Sequence, residues 1–205
     1  MSENKLKKNT ANVETMVMAA LMTALVVVFQ CIATYTTFFG PFSTAIGLIP
    51  IVIGAVLCGP VIGGWLGLVF GIVVIATGGA NLFFAFHILG TIITVLVKGM
   101  ACGVAAGVVY KLLEKFNKIV ALVVAALVCP IVNTGIFLLG SIIFFMPFAD
   151  AIAEMLGLAV SGFAVFAALA FGNFLFEIGM SAVLSPVMIR IIGVAEKTFR
   201  SKIRK

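Results

Sequence analysis

Six apolar stretches of roughly helical length, at 15–33, 45–58, 60–77, 83–110, 119–145 and 163–192, restrict this chain more than any other feature. Hydrocarbon offers no partner to a backbone N–H or C=O, so a segment lying in it must satisfy those groups within itself, as an α-helix does. About twenty apolar residues span the hydrocarbon core at a helical rise of about 1.5 Å per residue. Composition agrees: 63% of residues are hydrophobic and 10% charged, with a mean hydropathy of +1.32. That is too little polar surface to coat a water-facing globule. The chain reads as an all-α, multi-pass integral membrane protein forming a single domain over 1–205, with no soluble lobe.

The basic residues set the topology. Lys5, Lys7 and Lys8 precede the first stretch, Lys111, Lys115 and Lys118 form an island, and Arg190, Lys197, Arg200, Lys202, Arg204 and Lys205 close the chain. The positive-inside rule places all three groups in the cytoplasm. It also accounts for the net charge of +6 without nucleic acid as a partner. If 45–77 were one helix, the Lys111 island would fall outside. Two spans joined at Gly59-Pro60 keep it inside, so the expected architecture is a six-transmembrane-helix bundle with both termini cytoplasmic. The segments "ATYTTFFGPFST" (33–44), "TGGAN" (77–81) and 146–162, the last with Asp150 and Glu154, then lie outside, and none holds a lysine or arginine.

Small residues indicate how such helices pack. Gly59, Gly63, Gly67 and Gly71 recur every four residues, as do Gly99, Gly103 and Gly107, and such stripes let backbones approach closely. Ala20-x-x-x-Ala24 is a smaller version, equally suited to internal packing or to a partner subunit. Cys31, Cys58, Cys102 and Cys129 stand singly, and His87 is the lone histidine. No metal or redox spacing results. No nucleophile and base can be paired either, so neither an enzyme nor a cofactor is expected.

What remains is a short list of polar groups deep in apolar helices. Lys98 and Glu177 each fall roughly 20 Å below the outer ends of their helices by helical rise, and Asn133 falls near the same layer. Asn173 precedes Glu177 by four residues and shares its face. The bland reading pairs Lys98 with Glu177 and uses the asparagines as glue between helices. Ionisable groups at such depth otherwise mark a substrate or ion path. An outward-opening pocket roofed by 33–44 and 77–85 would suit a small polar metabolite, with Asn81, Phe84 and His87 as further candidates at its outer end.

Six helices in about 200 residues, the Ala-x-x-x-Ala of the first helix, the block "IPIVIGAVLCGPVIGGWLGLVFGI" (49–72) and the run "NTGIFLLGSIIFF" (133–145) together resemble the substrate-binding S component of energy-coupling factor (ECF) vitamin transporters. The resemblance implies a bacterial plasma-membrane protein that binds a vitamin from outside, joins a transmembrane coupling subunit and two cytoplasmic ATPases, and topples to release its cargo. It implies that Ala20 and Ala24 meet the coupling subunit and that Asn133 reaches the pocket. The chain has no G-x-x-x-x-G-K-[ST] loop, so ATP hydrolysis falls to partners. The helix-five run looks most like the pantothenate-type branch, whose substrate offers a carboxylate, an amide and hydroxyls to Lys98 and the asparagines; Glu177 then needs an offsetting charge or donor. Riboflavin is the runner-up, with Phe84, Phe86 and Trp65 as ring contacts, and cobalamin is a further alternative. A solitary proton- or ion-coupled carrier using Glu177 is the rival from another class, although 1–110 and 111–205 show no convincing inverted repeat. A structural subunit without ligand is the remaining rival.

Overall fold

The computed structural model describes the backbone of residues 3–35 and 45–203, and the side-chain surroundings of 13–34 and 46–194 apart from Phe176. The side chains of Lys5, Lys7 and Lys8, most of the roof segment 33–44 and the basic residues from Lys197 onward lie outside these limits. Among the described residues there is no strand. The helices are α1 (Glu3–Tyr35), α2 (Leu48–Cys58) preceded by a 3-10 turn (Ala45–Gly47), α3 (Pro60–Ala76), the single turn α4 (Asn81–Phe84), α5 (Ile88–Leu113), α6 (Lys118–Gly140), α7 (Ala149–Leu156) and α8 (Phe163–Ile203).

The expected break at Gly59-Pro60 is there, and its chemistry is local. Gly59 has φ 94° and ψ 173°, closes α2 by donating its N–H to Ala55 O at 3.0 Å and precedes Pro60 at the start of α3. A positive φ suits glycine, and proline is at ease in a first turn because no N–H is needed there. Membrane-length helices number four rather than the expected six: Val13–Thr34, Ile88–Leu113, Lys118–Leu156 and Phe163–Val194 are long and apolar enough to cross, whereas Leu48–Cys58 and Pro60–Ala76 are shorter. The 11 residues of α2 rise only about 16 Å. This helix is enclosed by protein, with Ile51, Val52 and Ala55 all buried, so its length is not dictated by lipid.

Other boundaries move for identifiable reasons. The stretch expected as one helix over 83–110 is split, because His87 adopts an extended conformation and caps α5. Asn117 caps α6 in the same way, its Oδ1 accepting from Ile119 N at 2.9 Å and Val120 N at 3.2 Å. Beyond Gly140 the helix widens into a π-segment (Ser141–Phe145), then a 3-10 turn (Met146–Phe148) and α7, so much of the expected outer loop 146–162 is helical. Within α7, Ala149, Ile152 and Ala153 are buried while Asp150 and Glu154 face out. Gly157, at φ 65°, ends it.

The two glycine ladders prove to be halves of one seam. A Cβ on Gly63 would run into the Gly103 carbonyl and one on Gly67 into the Gly99 carbonyl, while Gly71 meets Val95 O and Gly107 meets the backbone of Pro60. Gly59 stands apart from the seam at the α2–α3 joint, near Lys111 Nζ. The paired positions advance in opposite directions, so α3 and α5 are antiparallel. Likewise Gly54 meets Met22, and Gly90 and Gly140 meet Phe144 and Thr94. Successive long helices therefore alternate in direction. One large apolar cluster runs from Met22 and Val26 through α2 and α3 to Ala121–Cys129, and a smaller one gathers Phe145, Ile152, Val165 and Phe166.

Candidate functional site: a polar cavity between helices five, six and eight

A cavity of about 370 Å³ opens where α1, the α3–α4 turn, α5, α6 and α8 converge, bordered by Thr34, Asn81, Phe83, Lys98, Asn133 and Asn173 among others. It adjoins a smaller chamber of about 60 Å³, reached past Lys98, Asn133 and Asn173 and bordered additionally by Thr91, Thr94 and Glu177. Helical spacing gathers these groups. Thr91, Thr94, Val95 and Lys98 share one face of α5; Asn133 and Phe137 are one turn apart on α6; Leu169, Ala170, Asn173 and Glu177 share one face of α8.

Glu177 is the organising group. Its Oε1 accepts from Asn133 Nδ2 at 3.0 Å and from Asn173 Nδ2 at 2.7 Å. A carboxylate only accepts, so both amides must turn their NH2 groups to it. Asn133 is 2% exposed and Glu177 3%. In such surroundings a hydrogen bond to a charged group contributes about 1.5–3 kcal/mol. The orientation leaves Asn133 Oδ1 and Glu177 Oε2 without protein partners, and Thr94 Oγ1 and Thr134 Oγ1 share that condition.

Lys98 does not close the set. No hydrogen bond joins it to Glu177; its Nζ lies 5.6 Å from the ring centroid of Phe137, a cation–π distance. Phe83, delivered by α4, meets Phe137 edge-on at 5.5 Å and Phe145 at 5.1 Å, which fastens the short helix over the cavity. On the opposite wall Thr34 contacts Thr77 at 3.1 Å and receives a hydrogen bond from Gln30 Nε2 at 3.3 Å, tying the ends of α1 and α3.

Lys98, Asn133, Asn173 and Glu177 are thus brought together, and Asn81 stands exposed on the cavity border. Three nominated residues fall elsewhere. His87 Nδ1 accepts from Gly90 N at 2.8 Å and the ring packs at 5.6 Å from Phe144, so it serves as a helix cap away from the cavity wall. Phe84 packs against the large apolar cluster, and Phe86 lies 5.7 Å from Phe148 in the smaller one. Trp65 is half exposed beside a groove of about 510 Å³ that also contains Ala20, Ala19 and Ile62. Ala20 and Ala24 are exposed, so this stripe faces out of the bundle. Thr34, Thr94, Thr134, Phe83 and Phe137 border the site without having been nominated; stepping four residues back from Lys98 or on from Asn133 would have reached Thr94 and Phe137.

An all-helical membrane bundle with an internal, mixed-charge cavity at one end defines a membrane-embedded binding protein for a small polar solute. The profile of the family "ECF transporter, substrate-specific component" matches residues 14–192, and the chain belongs to that family. It is a non-catalytic, substrate-binding membrane subunit. The solved structure of ThiT from Listeria monocytogenes is similar, with a TM-score of 0.66 at 18% identity, covering 92% of this chain and 98% of that one. At that identity the likeness bears on the fold. A search of curated proteins finds no match.

Proposed function

We infer that the chain is one six-segment domain with both termini cytoplasmic and that its cavity captures a vitamin from outside. Alternating helix directions put the α2–α3 joint, the α5–α6 turn with Lys111, Lys115 and Lys118, and both termini at one end of the bundle. The positive-inside rule makes that end cytoplasmic, so Thr34, Asn81 and the cavity face outward.

The observation that carries the reading is the Asn133–Glu177–Asn173 cluster with Lys98 beside it, at the inner end of a ligand-sized space. At about 370 Å³ the cavity is at the lower end of the usual range for ligand sites, about 300–1,000 Å³. That suits pantothenate and leaves no room for a corrinoid such as cobalamin. Pantothenate would set its carboxylate against Lys98 and offer hydroxyl and amide hydrogens to Asn133 Oδ1 and Glu177 Oε2, the donors that Glu177 requires. Riboflavin is the second reading, favoured by Phe83 and Phe137 on the wall rather than by Phe84, Phe86 or Trp65. The exposed groove at Ala20, with Ala24 one turn on, is the surface for the coupling subunit, whose two ATPase partners supply the energy.

Purified protein, denatured and analysed by mass spectrometry, should release a vitamin at near-equal stoichiometry, and an Asn133→Ala/Glu177→Gln double variant should release none. Ala20→Trp should retain the vitamin while abolishing uptake in cells that supply the coupling subunit and ATPases. An empty wild-type protein that also ignores pantothenate and riboflavin in calorimetry would refute the reading.

A further inference from the structure

The inner chamber is built differently from the cavity above it. Its volume of about 60 Å³ is about twice the share of one water molecule in the liquid, so it admits two or three non-hydrogen atoms. Into this space three buried side chains bring oxygen atoms without protein partners: Glu177 Oε2, Asn133 Oδ1 and Thr94 Oγ1. The three residues are 2–4% exposed. Neither asparagine can turn its NH2 group inward without abandoning Glu177 Oε1, so the acceptors are locked in place. Each buried acceptor left unpaired costs about 1–3 kcal/mol, and a carboxylate entering the chamber would face Glu177.

We propose that this chamber is a specificity subsite that takes a hydrogen-bond-donating terminus of the substrate, a hydroxyl, amine or amide N–H, and rejects an anionic one. The proposal rests on the reading of the larger cavity as the substrate site. Lys98 borders both spaces and sorts the two ends of the ligand: an anionic group stops at its ammonium in the larger cavity, and the donor end passes beyond. Thr94 becomes a specificity residue. Its neighbour across the helix interface is Gly140, where a Cβ would collide with the threonine side chain, so Thr94 keeps its place only because α6 has no side chain there.

The test uses the intact protein in detergent, with pantothenate, riboflavin and any compound identified in the mass-spectrometric extract as probes. Each is compared by calorimetry with analogues methylated at one hydroxyl or N–H. Methylation at one particular position should weaken wild-type binding roughly 100-fold or more, because the added carbon overfills the chamber and strands its acceptors. Thr94→Val should weaken the parent roughly tenfold yet leave that methylated analogue within about twofold, a coupling that a merely structural role would not produce. Thr94→Ser, which keeps the oxygen, should bind the parent within about threefold of wild type. If every mono-methyl analogue binds within about threefold of its parent, the subsite is refuted while the substrate reading stands. A wild-type protein that binds no probe and releases nothing refutes both. Stabilisation by sodium over choline that Thr94→Val abolishes would assign the chamber to a cation and overturn the proposal.

Discussion

The two faces of α5 follow opposite rules. Toward α3 it presents Gly99, Gly103 and Gly107, and backbone meets backbone with nothing between. Toward α6 and α8 it presents Thr94 and Lys98, and side-chain oxygens around them are left without partners. The first face gains dispersion at every contact and has no polar group to satisfy. The second gives up packing and hydrogen bonding together. A helix pair closed that tightly serves as a fixed wall; a polar gap held open against such a wall keeps its shape until a ligand fills it. Folding stability should therefore reside in the seam and recognition in the gap, and mutations should separate them.

The largest effect should come from the seam. Gly67→Leu drives a side chain into the Gly99 carbonyl, and overpacking of a close core interface costs about 1–3 kcal/mol or more. Folded yield in size-exclusion chromatography should collapse. The same residue type is dispensable where the backbone is open: Gly179 has nothing within 4 Å, and Gly179→Ala should raise stability by about 0.5–1 kcal/mol, as expected in a helix interior. Equal loss at both positions would show that glycine matters here for something other than close approach.

The gap should respond in the reverse sense. Replacing Asn133 and Glu177 together by leucine removes the buried acceptors along with the charge, and exchanging buried ionic groups for apolar ones of similar volume is often neutral or stabilising by about 1–4 kcal/mol. The double variant should melt at or above the wild-type temperature and bind no vitamin. Glu177→Leu alone strands both asparagine amides and should cost about 1–3 kcal/mol. A double variant less stable than the single one would mean that the cluster is glue between helices first and a binding site second.

Both faces of α5 were partly legible in the sequence, for different reasons. Glycines repeating every four residues can do little else in a membrane helix, so the ladders stood out, although nothing in the spacing said that they interlock or that Gly59 belongs to a joint. Lys98 and Glu177 stood out because charge in hydrocarbon is rare. Thr94, Thr134 and Thr34 did not, since a threonine in a helix ordinarily returns its hydroxyl to a carbonyl of the preceding turn, as Thr91 does to His87 O at 2.8 Å. Among nineteen phenylalanines, Phe83 and Phe137 carry no mark that sets them apart from Phe84 and Phe86. The burial of α2 was hidden as well, because a helix sheathed in protein and one bathed in lipid share the same apolar composition.

The smallest effect should come from His87, which the sequence offers as a chemical residue and the structure uses as a cap. Its Nδ1 holds Gly90 N at the point where α5 begins, above both faces of that helix. Loss of an N-cap costs about 0.5–2 kcal/mol, so His87→Ala should lower the melting temperature modestly. Asparagine is also a good N-cap, and His87→Asn should restore most of the loss. Because the ring stands away from the cavity wall, vitamin affinity should stay within about twofold of wild type in both variants, below 1 kcal/mol. If His87→Asn recovers stability but not affinity, the imidazole itself reaches the ligand, and the outer end of α5 would belong with the gap rather than with the scaffold that holds it open.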